Sequence, residues 1–293
     1  MGGQLRAGDR RAGGRRPGLI GSAGAGRVLA SGPVTLPELR IVRASPGLTW
    51  RAFEAAESVG AVSAFLRPDD RWFVYLDPMC RPDASAPLLA AVTENTGTDL
   101  YASIEEDDEH GLDLFEVLGF TVCRREGNYL IPTDPDVTGL RPAAEPEGLV
   151  IISATDAYED QLRLLDDALR QDIPGAAGWR WDPGDFHEET FGDGFDPATY
   201  LVAVDAASGE YLGLVRVWLS PGRPRLGLIA VVRGHRRRGL ASLLLERAFR
   251  VVHERGISEV SAEIDDTNAA SRALLGGLGA RRVGGTVELV RRR

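Results

Sequence analysis

Apolar residues recur along the chain with two periods that take turns. One places them on alternate residues, as in half-buried strands; the other groups them at helical spacing. LRIVRA (39–44) and RWFVYL (71–76) read as strands, and LTWRAFEAAESVGAVSAFL (48–66) reads as a helix. APLLAAVTENTG (86–97) predicts a helix, DLYASI (99–104) a strand, LDLFEVLGF (112–120) a helix and FTVCRREGNYLIP (120–132) a strand pair. A second series opens at LVIISA (149–154). It continues with a helix over AYEDQLRLLDDALRQ (157–171), a loop over 173–197, and strands over TYLVAVD (199–205), GEYLGLVRVWL (209–219) and RPRLGLIAVV (223–232). An amphipathic helix ends at Gly256, a strand covers EVSAEID (259–265), a helix ends at Gly279, and RRVGGTVELV (281–290) is the last strand. Interleaved strands and helices imply an α/β fold packed around a mixed sheet.

The proline-bearing segment 134–148 reads as a linker between domains at 38–133 and 149–293, and the opening 37 residues read as a disordered extension. The two halves echo one another. Arg81-Pro-Asp-Ala-Ser-Ala-Pro-Leu-Leu aligns with Arg236-Arg-Arg-Gly-Leu-Ala-Ser-Leu-Leu, and Leu118-Gly-Phe aligns with Leu278-Gly-Ala. The echo suggests a duplication whose first copy has drifted.

Composition sharpens the picture through its unevenness. The net charge is −9, yet residues 1–37 hold 6 Arg against 1 Asp, 38–222 hold 13 Arg against 35 acids, and 223–293 hold 15 Arg against 7 acids. The C-terminal piece therefore suits an anionic ligand and the middle attracts cations. Every basic residue is arginine. The 2 cysteines, Cys80 and Cys123, are too few for a disulfide framework, no apolar run reaches membrane-span length, and a cytoplasmic protein is expected. Four scattered histidines and no paired cysteines suggest no metal site.

The candidate chemistry lies in VVRGHRRRGLASLLLERAF (231–249), where a strand, an arginine-rich turn and a helix follow one another. A helix start leaves backbone N–H groups unpaired and carries positive partial charge, so it suits a phosphate. Gly239 and Ala241 allow close approach, while Arg236, Arg237 and Arg238 add charge at the rim. The stretch lacks the Gly-Lys-Ser/Thr ending of a Walker loop and the three spaced glycines of a dinucleotide fingerprint, and Gly21–Gly26 has no strand before it.

This stretch resembles the GCN5-related N-acetyltransferases, whose R/Q-x-x-G-x-G/A signature is matched by Arg236-x-x-Gly239-x-Ala241. EVSAEIDDTNAASRALLGGLGA is similar to the family's second half, so the chain looks like a tandem member with a degenerate N-terminal copy, two such α/β domains each holding a mixed, mostly antiparallel sheet flanked by helices. The resemblance implies acetyl-CoA or another acyl-CoA as co-substrate and no metal. The amides of Arg236, Arg237, Arg238, Gly239, Leu240 and Ala241 are then expected on its pyrophosphate, and the backbones of Val231 and Val232 on the pantetheine arm and thioester carbonyl. Asn268 is expected to hydrogen-bond the arm from the other side. Glu263 matches a position where some relatives carry a general base; a solvated strand charge is the other reading. The chain departs from the family at Leu275, where many members place a proton-donating tyrosine, and Tyr200, Tyr211 and Ser271 are possible substitutes. In the first half, Ala84 stands where Gly239 does, so that copy's phosphate site is expected to be lost.

Residues 150–222 carry 14 acids against 4 Arg. Asp185, Glu188 and Glu189 beside Trp179 and Trp181 suggest recognition of a cationic amine; an ordinary solvated acidic loop with one buried tryptophan is the other reading. The leading expectation is transfer of an acyl group, in a ternary complex, to a small amine by a monomer or homodimer with no nucleic-acid or membrane partner. A protein N-terminal or lysine acetyltransferase and a non-catalytic acyl-CoA sensor are the alternatives.

Overall fold

Trp50, Ala52, Val62 and Ala64 are all buried, at every second position, and that period folds residues 48–66 into a β-hairpin rather than the expected helix. The computed structural model describes residues 39–44, 48–220, 222 and 224–293; the expected N-terminal extension lies outside the described residues. After β1 (Arg40–Ala44), the hairpin consists of β2 (Thr49–Glu54) and β3 (Glu57–Leu66), closed by the Glu54–Glu57 pair across Ala55 and Ala56. Next come β4 (Trp72–Leu76), α1 (Pro82–Thr96), β5 (Leu100–Glu105), α2 (Glu109–Val117) and β6 (Thr121–Pro132). β6 is one unbroken strand where a pair was expected.

Between the halves, α3 (Pro135–Thr138) lies in the expected linker, and Glu145 reaches Arg247 at 2.8 Å. β7 (Leu149–Ser153), α4 (Glu159–Arg170) and α5 (Pro183–Phe191) follow. α5 occupies what read as a loop. Asp182 accepts from the Gly184 N–H and Pro183 sits in the first turn, a helix-start signature that the surrounding glycines concealed. β8 (Tyr200–Asp205), β9 (Tyr211–Trp218), β10 (Arg225–Val231), α6 (Leu240–Glu254), β11 (Glu259–Asp265), α7 (Ala269–Gly277) and β12 (Arg281–Arg291) complete the chain.

Among the described residues, twelve strands form one sheet in the order β1-β2-β3-β4-β5-β12-β6-β11-β10-β9-β8-β7. Only β4/β5 and β10/β11 are parallel; the other pairs are antiparallel. Each half thus runs strand, helix, parallel strand, helix, strand, and each sends its last strand into the other half. β12 pairs with β5, and β6 pairs with β11. Val287 and Leu289 of β12 bury beside Val62, Leu88 and Leu100, while Ile131 of β6 buries beside Leu244 and Val260. α6 covers one face of the second half, and α4 and α5 cover the other with Leu162, Leu169 and Phe186. Among the described residues, no helix is long and apolar enough to cross a membrane.

Candidate functional site: a divided sheet beside a helix start

β10 and β11 are paired only at Arg225, the first residue of β10, and Ser261, the third of β11, and diverge beyond that point. The Val232 N–H donates to Leu212 O at 2.9 Å across the β9 side. Successive residues of a strand turn their polar groups to opposite edges, so the N–H of Val231 points away from β9, into the gap. This separates two residues expected to act together: Val231 presents an amide to the gap, and Val232 has committed its own to the sheet.

At the end of β10 the chain makes one 3₁₀ turn (Arg233–His235) and enters α6 through Gly239, whose φ of 83° lies in the left-handed region. No side chain caps this helix, so its first-turn N–H groups are offered outward. A Cβ placed on Gly239 would meet no atom within 4 Å. Conformation and open approach, not crowding, require glycine there. Arg237 and Arg238 are exposed beside it without an ion pair among the described residues. Arg236 differs from the expected rim cation. Its Nε donates to Val231 O at 2.7 Å and its Nη2 to Asp172 Oδ2 at 2.7 Å, so it braces the turn. Arg233 also binds Asp172, and the two guanidiniums hold that carboxyl down at about 2. Asp172, from the loop after α4, carries no signal in the sequence that ties it to this turn.

A cavity of about 1660 Å³ opens from the gap between β10 and β11 toward α4 and α5. Glu263, Asn268, Ser271 and Leu275 line it. Glu263 points to the cavity side but is ion-paired with Arg225. Asn268 caps α7, its Oδ1 accepting from the Ser271 N–H at 3.0 Å. Asp265, three residues before that cap, accepts from Thr267 N–H at 2.8 Å and from Arg124 Nε at 2.8 Å. Leu275 is buried in the core under α6 and α7. Of the possible substitute donors, Tyr211 accepts from the Tyr158 N–H at 2.8 Å. Tyr200 is buried, and burial pushes its phenol up to about 12.

On the acceptor side, Trp179, Trp181, Glu188 and Glu189 line the cavity, whereas Asp185, on the first turn of α5, does not. The tryptophans already face an internal cation, with Arg170 lying 5.2 Å from the Trp179 ring centroid and 5.5 Å from that of Trp181. Sequence reasoning missed Arg170 and Arg216, which line this wall, and Glu126 and Tyr129, which β6 carries across from the first half. Burial pushes the Glu126 carboxyl above its usual range. No short-range pattern links these residues, because strand exchange is what assembles them. Among the described residues, no group of His, Cys, Asp or Glu is arranged to hold a metal ion.

Residues 163–279 match the model of the Acetyltransferase (GNAT) family. No curated protein matches the chain. Similar solved structures include a GCN5-related N-acetyltransferase from Sphaerobacter thermophilus, at 20% identity and TM-score 0.59, covering 84% of this chain and 81% of that one. Another is a tandem GNAT protein from the clavulanic acid biosynthesis pathway, at 19% identity and TM-score 0.60, covering 83% and 82%. A GCN5-related N-acetyltransferase from Kribbella flavida aligns at 15% identity and TM-score 0.50, covering 86% and 89%. At these identities the likeness is one of fold.

Proposed function

We propose that the chain, whose residues 163–279 are an acetyltransferase domain of the GNAT family, transfers an acyl group from acyl-CoA to an amine. The observation that carries this reading is the uncapped, glycine-initiated start of α6 beside the divergence of β10 and β11. Amides from Gly239 to Ala241 suit a pyrophosphate, and Arg237 and Arg238 supply screening charge. Asn268 has its amide nitrogen free of hydrogen bonds among the described residues and lies across the gap, where it suits the pantetheine arm.

The Val231 N–H faces the gap, where it suits a thioester oxygen, so that negative charge developing on that oxygen would meet a fixed dipole. The amine nitrogen forms the new bond to the carbonyl carbon, the carbon–sulfur bond breaks, and the proton lost by the amine ends on the departing thiolate, directly or through water. Glu263 and Glu126 are the cavity carboxylates suited to relay it. Leu275 has no proton to give. We read the segment ending in β6 as a copy that has lost its own phosphate site, since α1 begins with Pro82 behind Arg81, whose guanidinium is taken by Glu54 and Asp83.

Following free thiol while the protein turns over acetyl-CoA with a panel of amines tests the reading; release above background with at least one amine is expected. Leu275 favours a second reading, a binding protein without turnover. Calorimetric retention of acetyl-CoA with no thiol release from any amine would select it.

A further inference from the structure

Within the cavity wall lies a buried group whose charges do not balance. Asp166 is 0% exposed and Arg216 4% exposed, and they face each other at 3.4 Å, an ion pair that does not reach hydrogen-bond geometry. Arg170 takes the other oxygen of Asp166, which also accepts from Trp181 Nε1 at 2.8 Å. Burial raises the Asp166 carboxyl, but Arg216 and Arg170 outweigh it and hold it below its ordinary range. One carboxylate therefore serves two guanidiniums. The neighbouring Asp167 is answered by Arg163 at 3.7 Å and contributes no spare negative charge.

Nε and Nη1 of Arg216 are buried without a hydrogen-bond partner, as is the hydroxyl of Tyr200 beneath its guanidinium. A buried, incompletely partnered guanidinium costs several kcal/mol unless an anion completes it. Space for that anion is present. β10 bulges between Leu226 and Leu228, and Gly227 at the bulge has no side chain; a Cβ there would stand 3.4 Å from Arg216 Nε and 2.5 Å from Trp218 Nε1. Arg216, Arg170 and Gly227 all line the cavity, while Glu188 and Glu189 stand at its α5 edge. A negative site is thus missing at the floor and present at the edge.

We propose that the acyl acceptor is a small zwitterion, an amine that also carries a carboxylate, and that Arg216 holds the carboxylate. The planar guanidinium matches a carboxylate in two parallel hydrogen bonds, and the Glu188–Glu189 edge attracts the ammonium end. The same carboxylates disfavour a dianionic phosphate at this place. The assignment rests on the acyl-transfer reading above and replaces a purely cationic acceptor with one of both signs. The ammonium first gives one proton to water or a cavity carboxylate; the freed amine nitrogen then bonds to the carbonyl carbon, the thioester carbon–sulfur bond breaks, and the amine's second proton leaves with the thiol.

The test compares amino acids with their carboxamides as acceptors for the intact protein. The free acids are expected to exceed the carboxamides by about 30-fold in kcat/KM, equivalent to about 2 kcal/mol. Arg216→Gln is expected to raise KM for the free acids until that preference is gone, and Arg216→Lys to restore part of it, with calorimetric affinity for acetyl-CoA retained in both. Equal use of acids and carboxamides by the wild type overturns the proposal, and so does an Arg216→Gln variant that keeps the preference. Should Arg216→Gln not fold, tryptophan-fluorescence titration of the wild type decides, because Trp179, Trp181 and Trp218 line the cavity. Saturation by the free acid well below the carboxamide supports the proposal, and indistinguishable curves overturn it. A protein that retains acetyl-CoA and acylates neither series overturns the acceptor alone. One that does not retain acetyl-CoA brings down the acyl-transfer reading as well.

Discussion

Gly239 and Gly209 share a left-handed φ, 83° and 75°, and both open into empty space, but only Gly239 begins the helix that faces the divided sheet. Replacing either with valine imposes backbone strain of about 1–2 kcal/mol. Thermal unfolding is expected to show a comparable loss for both variants, while calorimetry is expected to show acetyl-CoA affinity reduced at least about tenfold only for Gly239→Val. Asp172 gives a second prediction at this scale. Its carboxyl falls from 3.8 to about 2 through its bonds to Arg233 and Arg236, so the pairing contributes fully above about pH 4 and fades as pH drops toward 2. The wild type is expected to melt above Asp172→Asn near neutral pH, and the gap to close over that acid window. Gly239 stood out in the sequence as a small residue at a helix start, and its left-handed φ adds a conformational reason for glycine there. Asp172 and Arg216 did not stand out, because their partners lie 61 and 50 residues away in sequence and a charge on an acidic loop or a strand looks the same with or without them.

At the scale of elements, the turn before α6 contains Arg237 at a φ of 59°, a conformation that a residue with a side chain adopts at a cost. Arg237→Gly is expected to stabilise the protein by about 1 kcal/mol, read as a rise of a few degrees in melting temperature. Leu275, 2% exposed where α7 meets the core, behaves oppositely: Leu275→Ala is expected to cost about 2–5 kcal/mol in denaturant unfolding. Helices α1, α4 and α6 were readable from apolar spacing and their flanking breakers. The β2–β3 hairpin was not, since alanines at Ala52, Ala61 and Ala64 suit a helix locally and only the burial of every second residue, Ala52, Val62 and Ala64 among them, against α1 makes these segments strands. α5 was hidden in the same way, its short apolar content, Phe186 and Phe191, being too sparse to set a period.

For the whole molecule, alternation of strands and helices was enough to give a mixed sheet, but periodicity reports what a strand buries and not which strand lies beside it. The interchange of β6 and β12 is therefore invisible in the sequence, and with it the arrival of Glu126 and Tyr129 at the site. Residues 38–293 form one compact unit, and the core under α1 and the core under α6 each hold side chains from the other half's final strand. Chemical denaturation is accordingly expected to give one transition, coincident by circular dichroism and by tryptophan fluorescence; two separated transitions would show halves that melt independently. The interlocked strands also bear on how the second half can be handled. A fragment trimmed to the matched residues 163–279 would leave out β6 along with β7 and β12, exposing the flank of β11 as a row of unsatisfied amides and carbonyls. Such a fragment invites intermolecular strand addition, and clumping of that excised piece would report a bared sheet margin, not a flaw in the gap beside α6.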